Sequence, residues 1–167
     1  MKRAIIIDIE RCVGCGACVV ACMDQNDIYP ENGQVGFRNI YQIENGRYPD
    51  ATVQFISVSC NHCEDSPCIV ACPTGAIKKD DKSGAVVVNH DLCIGCHSCA
   101  LACPFGVPRY DVENKMKKCD MCVERVEAGL QPACVRVCPF GALSYEPVNE
   151  MQGKKQLRYY TTLMKGL

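Results

Sequence analysis

An α+β fold made of two nested cysteine-rich units, interrupted by an inserted β-hairpin, is predicted by three observations. Sixteen cysteines in 167 residues fall into four groups of four. Short strand-like runs, Ala4-Ile5-Ile6-Ile7-Asp8 and Val86-Val87-Val88-Asn89-His90, precede the first and third groups. Short segments that suit single helical turns, Ser98 to Cys103 and Pro132 to Cys138, lie between the third and fourth cysteines of a group, where a proline can start a helix.

The ordinary core-forming stock is thin, with no Trp and four Phe, so something besides apolar burial must help hold the chain together. The N-terminus opens with Lys2 and Arg3, but its apolar run is broken at Asp8 and is too short for the core of a secretion signal. No stretch approaches the roughly 18 to 20 apolar residues that span a bilayer. A cytoplasmic location without a direct membrane span is therefore expected, or a periplasmic one if a signal-bearing partner carries the chain out. In a reducing compartment so many cysteines favour metal over disulfides. A formal net charge of -1 gives no reason to expect nucleic acid as a partner.

The spacing names the metal. Cys12, Cys15, Cys18 and Cys22 follow C-x2-C-x2-C-x3-C, and Cys93, Cys96, Cys99 and Cys103 repeat that spacing and are followed by Pro104. Cys60, Cys63, Cys68 and Cys72 form a slightly longer version followed by Pro73. The fourth group, Cys119, Cys122, Cys134 and Cys138, is stretched in the middle and followed by Pro139. Three close cysteines that wrap one 4Fe-4S cube, with a fourth that ligates a neighbouring cluster, are the bacterial ferredoxin pattern. Structural zinc is disfavoured, because zinc ribbons use pairs of C-x2-C rather than runs of four. Gly14, Gly16 and Gly95 supply permissive backbone inside these loops, and the proline after the last cysteine turns the chain away from the cluster.

Cross-ligation requires the groups to pair, and sequence separation selects the pairs. Between Cys72 and Cys93, Thr74 to Ile77, a polar turn from Lys79 to Gly84 and the strand-like Ala85 to Asn89 read as a compact two-strand excursion. Groups two and three then form an inner unit, and groups one and four an outer one. The expected ligand sets are Cys12, Cys15, Cys18 with Cys138; Cys119, Cys122, Cys134 with Cys22; Cys60, Cys63, Cys68 with Cys103; and Cys93, Cys96, Cys99 with Cys72. The expected domains are 1–23 plus 104–147 for the outer ferredoxin-like unit, 60–103 for the inner one, 24–59 for the hairpin region and 148–167 for a docking tail. Strands are expected near Gly36 to Ile43 and Ala51 to Val58, joined at a turn over Glu44-Asn45-Gly46-Arg47.

The run Lys117-Lys118-Cys119-Asp120-Met121-Cys122-Val123-Glu124-Arg125 through Gln131-Pro132-Ala133-Cys134-Val135-Arg136-Val137-Cys138-Pro139 resembles the fourth cysteine motif of electron-transfer subunits that accompany dimethyl-sulfoxide-reductase-type molybdenum enzymes. The opening Cys12-Val13-Gly14-Cys15-Gly16-Ala17-Cys18-Val19-Val20-Ala21-Cys22 is similar too, and the likeness covers roughly residues 3 to 147. The same design is similar to the iron-sulfur subunits of tungsten aldehyde oxidoreductases, formate dehydrogenases and some hydrogenases. The resemblance implies four 4Fe-4S clusters in a row, the same nested ligation, and a large molybdenum- or tungsten-pterin catalytic subunit as partner. A second, flavin- or quinone-linked redox subunit is a further expected partner.

His62 and His97 lie inside cysteine groups that already have four thiols each, so both are expected to be loop residues that hydrogen-bond or face solvent rather than iron ligands. Lys115, Lys117 and Lys118 fit either a solvated basic loop or a balance to cluster charge. Gly153 to Leu167 is a candidate docking arm or a frayed end. No phosphate-binding glycine loop, nucleophile triad or open-site metal triad is present, so the expected role is relay of single electrons without catalysis. The alternative is a polyferredoxin-type carrier coupled to a hydrogenase or carbon monoxide dehydrogenase.

Overall fold

The computed structural model describes residues 2–149. Strand β1 (Arg3–Ile7) runs into a 3-10 turn whose start is capped by Asp8, its carboxylate accepting the Glu10 N–H at 3.1 Å. Helix α1 (Ala17–Gln25) carries Cys18 and Cys22 one turn apart, which puts both thiols on one face, and both are buried. Strands β2 (Asn39–Asn45) and β3 (Thr52–Val58) pair antiparallel, Asn39 opposite Val58 and Asn45 opposite Thr52. Their connection spans residues 46–51, longer than the turn expected over Glu44 to Arg47. The tight reversal forms further out, where the Asp50 N–H donates to the Arg47 carbonyl at 2.7 Å.

Helix α2 (Pro67–Val70) is a single turn that begins with its proline, as a missing N–H allows at that position. Strands β4 (Ile77–Lys79) and β5 (Val86–Val88) pair antiparallel, and the Asp80 carboxylate closes the turn between them by accepting the Ser83 N–H at 2.7 Å. Helix α3 (Ser98–Ala102) follows, then the short pair β6 (Arg109–Tyr110) and β7 (Met116–Lys117). Helices α4 (Val123–Glu127) and α5 (Ala133–Arg136) and strand β8 (Leu143–Pro147) complete the order. The sequence does not announce β6, β7 or α4, because two-residue strands and a single helical turn carry too few positions to show a period, nor β8, which the strand β1 it meets defines. Strand β8 pairs antiparallel with β1, Arg3 opposite Pro147 and Ile7 opposite Leu143.

Every sheet among the described residues has two strands, an arrangement that is marginal alone and needs something to pack against. Two apolar clusters supply part of that. One gathers Cys18, Cys134, Val135 and Leu143, with Ile5, Ile7, Ile40 and Tyr145 against them. The other gathers Ala76, Ile77, Val86, Cys93, Cys99 and Met116, with Ile69, Val88 and Tyr110 against them. In both, cysteines occupy places that larger apolar residues would fill in an ordinary core.

The stability of the fold should therefore depend on metal, because thiolate sites seldom exist in an unfolded chain and binding free energy becomes folding free energy. Anaerobic chelation of iron is expected to abolish cooperative thermal unfolding monitored by circular dichroism. An iron-free chain that still melts cooperatively would contradict this.

Candidate metal centres

The residue just before the second cysteine adopts the left-handed conformation in all four groups: Gly14 at φ 71°, His62 at 45°, Gly95 at 68° and Met121 at 66°. That local twist bends the backbone round so that first and second cysteines converge. Two of the four positions are glycine, for which it is free; His62 and Met121 carry the steric cost of their Cβ atoms. After the last cysteine of groups two, three and four the same turn recurs, with the N–H of Gly75, Gly106 and Gly141 donating to the carbonyl of Cys72, Cys103 and Cys138, each at 3.3 Å. Pro73, Pro104 and Pro139 occupy the second place of these turns, where their fixed φ fits.

Three cavities are walled by cysteines. The first takes its thiols from Cys12, Cys15, Cys18 and Cys138, with Ile40, Phe140 and Leu143 around them, in a space of about 320 Å³ partly open to solvent. The second takes Cys93, Cys96, Cys99 and Cys72, with Ile77, Val88 and Met116, in a similar space of about 320 Å³. The third takes Cys60, Cys63, Cys68 and Cys103, with Val86, Phe105 and Val107, in about 330 Å³. The remaining four cysteines sense one another electrostatically. Burial first, then Cys134 and Cys122, push the Cys22 thiol up to about 12 against the opposing charge of Arg38. Burial likewise pushes Cys119 up to about 12, with Cys22 among its neighbours.

The donor chemistry of these walls fits thiolate-bound iron-sulfur clusters. Backbone N–H groups aim at sulfur, Met116 N–H at Cys93 and Met121 N–H at Cys119, both at 3.4 Å. At Cys72 burial raises the thiol, but the Thr74 hydroxyl and the N–H groups of Thr74, Ala76 and Ile77 outweigh it and hold the group below its ordinary value. Donors gathered at a sulfur stabilise its thiolate form. The Tyr110 hydroxyl lies 3.3 Å from Cys99 Sγ, and the His97 ring stacks on Tyr110 with centroids 3.7 Å apart and planes 3° from parallel.

Buried charge tells the same story. Arg38 is 2% exposed and Lys118 6% exposed, and no Asp or Glu is buried among the described residues. A cation taken out of water needs a counter-charge, and here cluster thiolates are the available one. Arg38 was not foreseen as a site residue; it lies in the segment between groups one and two, and nothing in its sequence context distinguishes it from a surface arginine.

His62 is buried rather than facing solvent, and its Nδ1 accepts the Val86 N–H at 2.9 Å. Its proton is therefore on Nε2, which has no partner in the protein. Burial first, then Lys118, Lys79 and Arg38, hold His62 down at about 3, so it stays neutral. His97 is exposed and bonds Asn114 Oδ1 through Nε2 at 2.7 Å. The three lysines do not form one solvated loop. Lys115 donates to the Cys93 carbonyl, Lys117 pairs with Asp111 at 3.6 Å, and Lys118 donates to the Val86 and Cys119 carbonyls. The candidate docking arm, Gly153 to Leu167, lies outside the described residues.

Two family models, each described as a 4Fe-4S dicluster domain, match residues 51–147 and 11–76. A component of the anaerobic dimethyl sulfoxide reductase of Escherichia coli (strain K12) is 43% identical over 143 residues, which are 80% of this chain and 68% of that protein. A sulfite dehydrogenase component from Allochromatium vinosum is 37% identical over 153 residues, 80% of this chain and 64% of its own length. The iron-sulfur subunit ArrB of an arsenate respiratory reductase from Shewanella sp. (strain ANA-3) is 38% identical over 118 residues, 71% of this chain and 49% of its own.

The first cysteine loop offers a sharp test of its geometry. A Cβ on Gly14 would stand 2.5 Å from the Phe55 ring, whereas a Cβ on Gly16, at φ 80°, would meet nothing within 4 Å. Gly16→Ala should cost only the left-handed penalty of about 1–2 kcal/mol. Gly14→Ala should cost that and displace Phe55 from the loop. Cluster content after anaerobic purification is the measurement, with Gly14→Ala falling clearly below Gly16→Ala; equal content in the two would refute the close packing.

Proposed function

We propose, from the premise that the chain belongs to the 4Fe-4S dicluster protein family, that its four clusters form one relay serving a separate catalytic subunit. The chain is an iron-sulfur electron-transfer protein with four 4Fe-4S clusters. Bound clusters supply one-electron oxidation and reduction. The ligand sets are Cys12, Cys15, Cys18 with Cys138; Cys93, Cys96, Cys99 with Cys72; Cys60, Cys63, Cys68 with Cys103; and Cys119, Cys122, Cys134 with Cys22. The observation that carries this is the meeting of four thiols from two groups in each of three cavities. For the fourth set, support comes from the mutual influence of Cys22, Cys134, Cys122 and Cys119.

On this ligation the chain is two nested ferredoxin-like units, the outer one tied at its ends by the β1–β8 pair and the inner one built round β4–β5. The β2–β3 hairpin is an insertion that packs Ile40 and Phe55 over the first loop. With four thiols committed to each cluster, no ligand position is left for a substrate, so the chemistry belongs to a partner. Relatives named as components of dimethyl sulfoxide reductase, sulfite dehydrogenase and arsenate reductase support a large molybdenum- or tungsten-pterin subunit as that partner. A flavin- or quinone-linked subunit would take or supply electrons at the other end. No helix among the described residues is long and apolar enough to cross a membrane. We further propose that the complex works in the cytoplasm, or in the periplasm when a signal-bearing partner exports it.

Anaerobic purification of the complex through this chain is expected to yield about sixteen iron and about sixteen sulfide per chain, together with molybdenum or tungsten. Nickel alone would overturn the partner assignment. In Cys22→Ser the cluster of Cys119, Cys122 and Cys134 should be lost while that of Cys12, Cys15 and Cys18 survives. The reverse pattern in electron paramagnetic resonance would overturn the cross-ligation.

A further inference from the structure

Strand β3 lays two side chains against the first cysteine loop. Phe55 and Ser57 stand two residues apart, so the extended strand points both to the same face. Phe55 lies where a Cβ on Gly14 would meet its ring, and Ser57 is one of the residues that wall the cavity of Cys12, Cys15, Cys18 and Cys138. Across the hairpin Ser57 stands opposite Ile40, which lines the same cavity. The Ser57 Oγ lies 3.3 Å from Cys18 Sγ, and both residues are buried. The other neighbour of this hydroxyl is Arg38, whose Nη1 donates to Ser57 Oγ at 2.8 Å. Arg38 is itself buried, and its Nη2 donates to the buried Ser59 Oγ at 2.7 Å, which holds the guanidinium in place.

We infer that the Ser57 hydroxyl donates a hydrogen bond to the Cys18 thiolate and thereby raises the reduction potential of the cluster held by the first loop. The direction of the bond follows from which atoms carry protons. A guanidinium can only donate, so the Ser57 oxygen accepts from Arg38 and its single proton is directed elsewhere. A thiolate that ligates iron has no proton to give, so between Ser57 and Cys18 the hydroxyl is the donor. Arg38 also strengthens that donor, since linked hydrogen bonds polarise one another. A reduced cluster carries one more negative charge than an oxidised one, and a donor at a ligand sulfur stabilises the more negative form more. Both partners are withdrawn from water, so a side chain without the hydroxyl leaves the sulfur one donor short. Arg38 is the positioning residue, and neither it nor Ser57 takes part in ligation.

This inference rests on the first loop holding a cluster, as proposed above, and an electron-paramagnetic-resonance-monitored redox titration of the purified, cluster-loaded chain tests it apart from the ligand set. The first-loop cluster is the signal lost in Cys12→Ser; a parent chain without such a signal would overturn both readings. Loss of a different signal in Cys138→Ser would overturn the ligand set alone, and the titration would still decide the hydrogen bond. Ser57→Ala should shift the first-loop cluster's reduction equilibrium about tenfold toward the oxidised form, about 59 mV lower for one electron, with the other clusters within about threefold of the parent. Thr and Val are close in shape and differ in the hydroxyl. Ser57→Thr should therefore stay within about threefold of the parent, and Ser57→Val should match Ser57→Ala. An unchanged Ser57→Ala or Ser57→Val chain would overturn the inference. So would Thr and Val variants that shift alike, since packing and not the hydroxyl would then set the potential. Should Ser57→Ala alone fail to assemble the cluster, the Thr and Val pair decides by the same margins. If the cluster assembles in Ser57→Thr but in neither Ser57→Ala nor Ser57→Val, the hydroxyl serves assembly rather than potential, and the inference falls.

Discussion

Bonding of buried thiolates to metal is the constraint on which the rest of this protein depends. Sixteen thiols have to meet at four places in a chain whose apolar residues are too few to hold those places open unaided. Each thiolate then brings negative charge into the interior, where it must be answered by oriented donors or cations. Much of the local structure follows from these two demands. The strands are short because they need only fix where a cysteine loop begins and ends. Helices α2, α3 and α5 are brief because they need only span the gap between the third and fourth cysteines of a group. Even the core is shared, with Cys18, Cys134, Cys93 and Cys99 serving both as packing and as ligands.

What could be read from the chain beforehand was whatever repeats. The cysteine spacing and the Cys-Pro-x-Gly turns recur several times, so the iron-sulfur chemistry was legible from them. Strand β1 and strand β5 were legible as β-branched runs beside a cysteine group. The pair β6–β7 and strand β8 were not, since each is defined by the partner it meets rather than by its own pattern. The left-handed residue before each second cysteine was half legible. Glycine announces it at 14 and 95, while His62 and Met121 adopt it under the demand of the loop and give no sign in sequence. Arg38, Ser57 and Tyr110 were not legible either: Ser57 and Tyr110 reach a cysteine through space from another segment, and Arg38 reaches Ser57.

The hairpin formed by β2 and β3 shows how an insertion can acquire a role without carrying a ligand. Its outer end, residues 46–51, is exposed. Its base does the opposite. Arg38 and Ser57 turn inward, Ile40 joins the apolar cluster round Cys18 and Cys134, and Phe55 lies against Gly14 so closely that a side chain there would collide. A glycine at 14 thus answers two requirements at once, a left-handed backbone and space for the ring. The insertion covers the first loop and buries a cation beside it, one serine away from Cys18.

Ligation from two places in the chain has a consequence for how order spreads. On the proposed sets, the cluster of the first loop needs Cys138, and Cys138 is held where β8 begins its pairing with β1. Strand β1 in turn leads directly into the first loop. Neither the two-stranded sheet nor the cluster has enough of its own to persist alone. Each closes the circuit that the other leaves open, so they should form and fail together. The inner unit repeats the arrangement, with Cys72 entering β4 and β5 leading out to Cys93. Arg38 is buried where the two circuits come near each other, bonded to Ser57 beside Cys18 and to Ser59 next to Cys60. On the proposed sets, a substitution at Arg38 would therefore reach both circuits at once.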